Sequence, residues 1–376
     1  MTNRAQLRSF KNRHHYRWIL LTAIVLGILA LSLLMAIQPT LSDAQVPEPG
    51  EPPVAPVVSP IVQSPRMVLT DTIDIYLPVV IRPVSFTVNP QDRGETLSFY
   101  QSQYLMASNP PINWTGAHAS CNPGTTGADF RSAILRRINY FRAMAGVPDN
   151  IAFSPSSTEK AQAAAFMMSV NRALSHTPPS SWLCYSDLGA SGAGSANLYL
   201  GAYNWNAITG YIQDPGTGNY AVGHRRWILY PQTQEMGTGD IPPVSGYPSA
   251  NALVVFDSHM WEQRPVTRDE FVAWPPPGYV PYPVVFGRWS FSYANANFNS
   301  ATVSLTSGGI IIPVSQSPVV NGYGENTLVW IPAGMTHQSV WPKPSSDTLY
   351  TVNIQNVMID NVARSFTYDV IIFDPG

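Results

Sequence analysis

Three textures of apolar and polar residues succeed one another along the chain. Near its start, "WILLTAIVLGILALSLLMAI" (residues 18–37) is apolar throughout and carries no charge. As a helix it is about 30 Å long, enough to span a bilayer. From about residue 128 to 214 the apolar positions fall at three- and four-residue steps. "DFRSAILRRINYFRAMAGVP" puts Phe130, Ile134, Ile138, Phe141 and Ala145 on one face and then meets Gly146 and Pro148, which predicts a helix and its end. A capping box of Ser156 and Glu159 predicts a second helix through "KAQAAAFMMSVNRALSH" to His176, with a face of small side chains at Ala161, Ala164, Ala165 and Met168. "NAITGYIQD" predicts a short helix ending before Pro215 and Gly216, whereas "HRRWILY" and "ALVVFD" read as strands. Beyond residue 280 the helical period is gone. "GRWSFSYA", "SATVSLTS", "GIIIPVSQ", "NTLVWIPA", "TLYTVNIQNV" and "RSFTYDVIIFD" are rich in β-branched and aromatic residues and separated by Gly, Pro, Asn and Ser, the pattern of an antiparallel sandwich. The expected fold class is α+β, with an N-terminal transmembrane helix.

The flanks of the first run give the chain an address. Arg4, Arg8, Lys11, Arg13 and Arg17 precede it and place the N-terminus in the cytoplasm. Its length favours an uncleaved anchor over a signal peptide, whose apolar core is about 7–15 residues, although Ser42-Asp43-Ala44 is an acceptable cleavage site. Both alternatives put the remainder outside: at the extracellular face of the cell membrane, or secreted after cleavage near Ala44. Residues 45–66, rich in proline, read as a semi-rigid stalk. "TIDIYLPVVIRPVSFTV" has strand composition with prolines suited to an edge or docking segment. The division is then 1–44, basic segment and anchor or signal; 45–94, stalk and extended segment; 95–260, helices and strands; 261–376, β-sandwich.

Composition fits that address. Charged residues make up 12% of the chain and there are 35 prolines, which suits an extracellular protein with long ordered loops. Beyond Ala44 there are 16 basic and 22 acidic side chains, a net of −6 with no basic stripe. That sign excludes binding to nucleic acid backbones. Cys121 and Cys184 form no C-x-x-C pattern, which excludes a zinc ribbon or a thioredoxin-like motif. A disulfide between them fits an oxidising compartment, where a bridge over such a loop stabilises by roughly 4 kcal/mol. Two separately buried thiols are the alternative.

The candidate chemistry centres on two histidines. His176 closes the second predicted helix and His224 opens the run "VGHRRWIL". Brought together with an acid nearby, they could bind a divalent metal such as zinc or relay protons; a histidine beside a helix end more often only caps a carbonyl. If 224–230 is a strand, Arg225 and Arg226 point to opposite faces, one toward a cleft, unless both pair with surface acids. Trp227 and Tyr230 read as core, and "WPPPGYVPYP" as an aromatic groove or a packed domain junction. No nucleophile elbow, Walker loop, H-E-x-x-H or dinucleotide fingerprint occurs.

The order of these pieces is more informative than any one of them. It comprises N-x-x-R (Asn139 to Arg142), a small-residue helix ending in Ser-His, a Gly-rich loop with x-x-Asn-Leu, a short helix ending in an acid, then Gly-His and "MGTG". Over about residues 95–258 this resembles the CAP or SCP superfamily of cysteine-rich secretory proteins, antigen 5 and plant pathogenesis-related proteins, and "GHRRWIL" with Pro231 resembles its bacterial branch. The resemblance implies a CAP-type α-β-α sandwich, followed here by an immunoglobulin-like sandwich, and a cleft lined by two histidines and two acids. His176 and His224 fall on the histidines and Asp214 on one acid. The family's Gly-Glu-Asn segment matches Ser195-Ala196-Asn197, so the second acid is replaced by Ala196. Glu235 is the alternative acid, but it falls at a variable position of the family and reads otherwise as a loop charge.

Alanine can neither orient an imidazole nor serve as a base, so a four-residue acid/base machine is not expected. The cleft residues are then His176, Asp214, His224, Asn197 and Arg225, with His176, His224 and Asp214 as the metal set. Three readings follow: a membrane-anchored or secreted binding module for a lipid, peptide or surface glycan, as the superfamily's lipid-binding branches imply; a metal-assisted hydrolase on the histidine pair; or a structural or adhesive cell-surface protein working through its C-terminal sandwich.

Overall fold

The computed structural model describes residues 87–105 and 109–376. Residues 18–37, the proline-rich segment 45–66 and nearly all of 72–88 lie outside the described residues. No helix among the described residues is long and apolar enough to cross a membrane.

Helix α1 (Arg93–Phe99) is capped by Asp92, which accepts from Glu95 N, and continues as one wider turn over Tyr100–Leu105. Helix α2 (Ala128–Ala145) buries the predicted face, including Phe130, Ile134, Ile138, Phe141 and Ala145. It ends at Gly146, whose φ of 73° lets its own N–H and that of Val147 turn back to Ala143 and Arg142 carbonyls. After the short strand β1 (Ala152–Phe153) comes α3 (Pro155–Asn171). The expected capping box does not form: Ser154 is the N-cap, Pro155 opens the helix, and the Ser156 hydroxyl pairs with that of Ser154. Nor does α3 reach His176. Asn171 bonds through its side-chain amide to Met167 O and to both main-chain groups of Leu183, and Arg172 turns left-handed (φ 52°), so His176 lies in the following loop.

The central sheet has the order β1-β3-β4-β2, where β2 is Ala196–Leu200, β3 Glu235–Ile241 and β4 Ala250–Val254. Strand β1 pairs parallel to β3 and the other pairs are antiparallel. Alternation along the strands divides its faces. Ala196, Leu198, Ala250, Ala252 and Val254 pack in one cluster with Ala161, Ala164, Ala165 and Phe166 of α3 and with Ala193 of α4 (Asp187–Gly194). Tyr199, Met236 and Leu253 join the cluster on the other face, with α2, α5 (Asn204–Gln213) and α6 (Gly223–Ile228). The small-residue face of α3 has its counterpart in β3: a Cβ on Gly237 or Gly239 would lie 2.1 Å from α3 backbone.

The expected strand at "HRRWILY" is instead helix α6, entered through Val222 at φ 47° and closed by Arg226 N→Val222 O and Leu229 N→Arg225 O bonds. All six of its residues are buried. Alternating exposure, on which a strand reading of Arg225 and Arg226 depended, is therefore absent, and both arginines enter the interior.

The C-terminal part is all β. One sheet runs β10-β11-β7-β5 (Val314–Gln316, Thr327–Pro332, Trp289–Ser292, Val272–Trp274) and is antiparallel. The other runs β6-β13-β12-β8-β9 (Gly278–Pro281, Val362–Phe373, Thr348–Ile359, Thr302–Ser307, Ile310–Ile312); its β6–β13 pair is parallel. Phe291 of the first sheet packs on Phe366 of the second, 5.1 Å between ring centroids. Trp274, opening "WPPPGYVPYP", is buried edge-on to Phe141 of α2 and donates through Nε1 to Val284 O, so this stretch begins as a packed junction. One core cluster runs from α2 through both C-terminal sheets.

Candidate functional site

Asp214 caps α5 in the left-handed conformation (φ 55°), which swings its carboxylate toward the start of α6. There Oδ1 accepts from His224 Nδ1 (2.7 Å) and Oδ2 from His224 N (3.1 Å), with both side chains fully buried. A carboxylate on Nδ1 fixes the tautomer and plane of the imidazole. Although a methylene shorter than glutamate, the aspartate reaches, because it grips the backbone and the ring of one residue together. The His224 ring stacks on Tyr211 of α5 at 5.2 Å.

Around Asp214 lie arginines from both halves of the molecule. Arg225 donates to Ile212 O (2.6 Å) and to Ser290 Oγ (2.9 Å); Arg226 to Glu325 O (2.9 Å) and Val320 O (2.7 Å); Arg288 to the Asp214 and Gly216 carbonyls. Arg142, the arginine of the N-x-x-R motif, donates to Pro148, Ile228, Tyr230 and Thr233 carbonyls. Burial pulls Arg142, Arg225 and Arg226 down to about 9, still charged at neutral pH, and the Asp214 charge opposes that fall in Arg225, Arg226 and Arg288. Arg225 and Arg226 thus hold α6 to the C-terminal sheets; surface acids are not their partners.

Asn197, on β2, donates to His224 O (3.1 Å), and its own carbonyl accepts from Tyr211 OH (3.0 Å). Tyr211 OH also donates to Asn251 Oδ1, and Asn251 donates to Asp240 Oδ1 (3.0 Å). Asp240 further accepts from Asn204 N (2.6 Å) and Thr238 OH (2.8 Å). Burial pushes its carboxyl up to about 6 against the pull of these donors. Neither Asp240 nor Tyr211 figured among the sequence candidates. The available signal was a charge directly after "MGTG", in a strand that beyond Glu235 at its start is otherwise made of small and apolar residues.

His176 donates through Nδ1 to Ala193 O (2.8 Å), at the end of α4. Ala196, two residues beyond α4, is packed in the apolar cluster on the α3 face of the sheet. Glu235 is exposed at the start of β3. Among the described residues no three His, Cys, Asp or Glu side chains are grouped so as to hold a metal ion. The set His176, His224 and Asp214 does not fit zinc, since both carboxylate oxygens of Asp214 are engaged by His224.

An open groove of about 650 Å³ lies elsewhere on the helical part, between the loop 122–126, the first turns of α3, Phe153 of β1 and Leu188 of α4. The disulfide Cys121–Cys184, with Cα atoms 5.2 Å apart, ties the loops leading to its two rims. Gln162 fixes its floor: Nε2 donates to Pro123 O and Asp240 O, and Oε1 accepts from Asp240 N. Sequence reading missed this groove because its walls come from the loop 122–126, Arg131 of α2, β1, α3 and α4, which are spread over some 65 residues of chain.

Residues 135–243 match the family model described as the cysteine-rich secretory protein family, CAP. No curated protein matches the chain. Among solved structures, PcoC, a methionine-rich copper resistance protein from Escherichia coli, aligns at 16% identity over 27% of this chain and 92% of that chain, with a TM-score of 0.20. Its selenomethionine form aligns at 14% identity over 27% and 94%, with the same TM-score. Likeness at that level carries no argument about fold or function. The family match spans the N-x-x-R motif, both histidines, Asp214 and the Gly-rich strand, and residues 135–243 are accordingly a CAP-superfamily region.

Proposed function

We propose that the protein is an extracellular, membrane-anchored or secreted binding module, built of a CAP-type α-β-α sandwich and an immunoglobulin-like sandwich. The observation that carries this reading is the burial of the Asp214–His224 pair, whose polar atoms serve α5, α6 and the arginines around them. A group that must move protons on a ligand needs access to it, and this pair acts as a joint. An open concavity, of the kind ligand sites use, is lined by neither residue of the pair. The disulfide and the uncharged run at 18–37 support an extracellular location.

Calorimetric titration of the full chain with zinc, compared with a His176→Ala, His224→Ala variant, tests the absence of metal chemistry. A flat trace for both is expected; micromolar binding lost in the variant would replace this reading with metal-assisted hydrolysis. Protease added to intact cells producing the chain should degrade it, and full protection would place it inside.

A further inference from the structure

The groove beside the disulfide has a lining of mixed character. Apolar side chains, Phe153 and Leu188 among them, share it with Arg131, Thr158 and Glu159, whose polar groups a fatty chain would leave without a partner. Arg131 is half-buried at one wall; its Nη1 is spent on the Thr126 carbonyl and hydroxyl, and it has no acidic partner among the described residues. Glu159, exposed on the first turns of α3, accepts no hydrogen bond within the described chain. The Thr158 hydroxyl and the apolar surfaces of Phe153 and Leu188 line the same groove. An extended peptide would need a run of unpaired main-chain groups. The bordering strand β1 has two residues and leads to Pro155, which has no N–H, so that run is missing.

We propose that this groove binds a short neutral oligosaccharide, an assignment that rests on reading the protein as a binding module. Sugar hydroxyls both donate and accept, and so satisfy Arg131, Glu159 and Thr158 together, while the C–H face of a sugar ring packs on Phe153 and Leu188. One cation and one anion leave no excess charge to favour a charged ligand. The volume lies within the range of about 300–1,000 Å³ usual for small-ligand sites. The disulfide and Gln162 hold the walls before binding, which limits the ordering cost.

The test is calorimetry and saturation-transfer NMR on the full chain with maltotriose, cellotriose and tri-N-acetylchitotriose, beside palmitate and an uncharged Pro/Val peptide. At least one trisaccharide should bind, and Glu159→Gln and Arg131→Gln should each weaken it about tenfold through loss of a charge-assisted hydrogen bond. Glu159→Gln should leave the thermal melt unchanged, and Glu235→Gln should bind as the native chain does. Trisaccharide binding that ignores both groove variants would overturn the groove and leave the binding module standing. Palmitate or peptide binding that is sensitive to Glu159→Gln would keep the groove and overturn the sugar. No binding of any probe at millimolar concentration would sink both readings.

Discussion

A buried carboxylate is tolerated when donors or opposite charges surround it, and Asp214 and Asp240 meet that condition differently. Asp214 supports Arg225, Arg226 and Arg288 with its charge and grips His224 with its oxygens. Asp214→Asn keeps the shape and removes the charge, so urea denaturation should show a loss of about 3–5 kcal/mol, as for a broken buried ion pair. An unchanged midpoint would mean that the carbonyls suffice for the arginines. Asp240 has donors but no cation, and burial pushes it from 3.8 to about 6. Because the folded value lies above the unfolded one, its neutral form stabilises the fold. That contribution is complete below about pH 4, falls as pH rises through about 6, and amounts to about 3 kcal/mol. Asp240→Asn should therefore be more stable than the native chain at pH 8, with the difference shrinking toward pH 4; parallel pH profiles would show that the donors compensate fully.

Elements in this fold meet at backbone distance where side chains are absent. Gly239 of β3 lies against Ala161, and an added Cβ would be 2.1 Å from its carbonyl carbon and oxygen. Gly239→Ala must push α3 off the sheet, and a melt of that variant should show a destabilisation of about 1–3 kcal/mol or more. A change below the error of the melt would mean that the helix slides freely on the strand. The small-residue face of α3 was legible in the sequence, since alanines at helical spacing predict close approach. What it approached was not, since Gly237 and Gly239 lie some 75 residues further along and pairing of that range leaves no local trace.

Across the whole molecule, α6 is the joint. Arg225 finds Ser290 of β7, Arg226 finds the Val320 and Glu325 carbonyls in the loop between β10 and β11, and Arg288 returns to the Asp214 and Gly216 carbonyls just beyond α5. A chain ending before Val266 loses those partners and leaves buried guanidinium groups unsatisfied, at a cost of several kcal/mol. Such a truncation should show no cooperative unfolding transition by circular dichroism, whereas the full chain should. Cooperative melting of the fragment would make the helical part an independent domain.

Residues 302–316 and 348–373 declare their strands locally, because alternating β-branched and aromatic side chains have a period of two whatever surrounds them. Helix α2 was equally plain, from its apolar face and the glycine that ends it. Asp214 and His224 could be singled out in the sequence through a family resemblance. Their roles could not, because a histidine and an aspartate ten residues apart read alike in an open cleft or a sealed joint. "HRRWIL" is too short to show a period, and its arginines look like surface residues until the Ser290 hydroxyl of β7 and the carbonyls of the loop between β10 and β11 receive them. Local pattern thus determined the elements and the candidate residues. Whether those residues face a ligand or each other was decided by tertiary burial, which turns on partners far away in the chain.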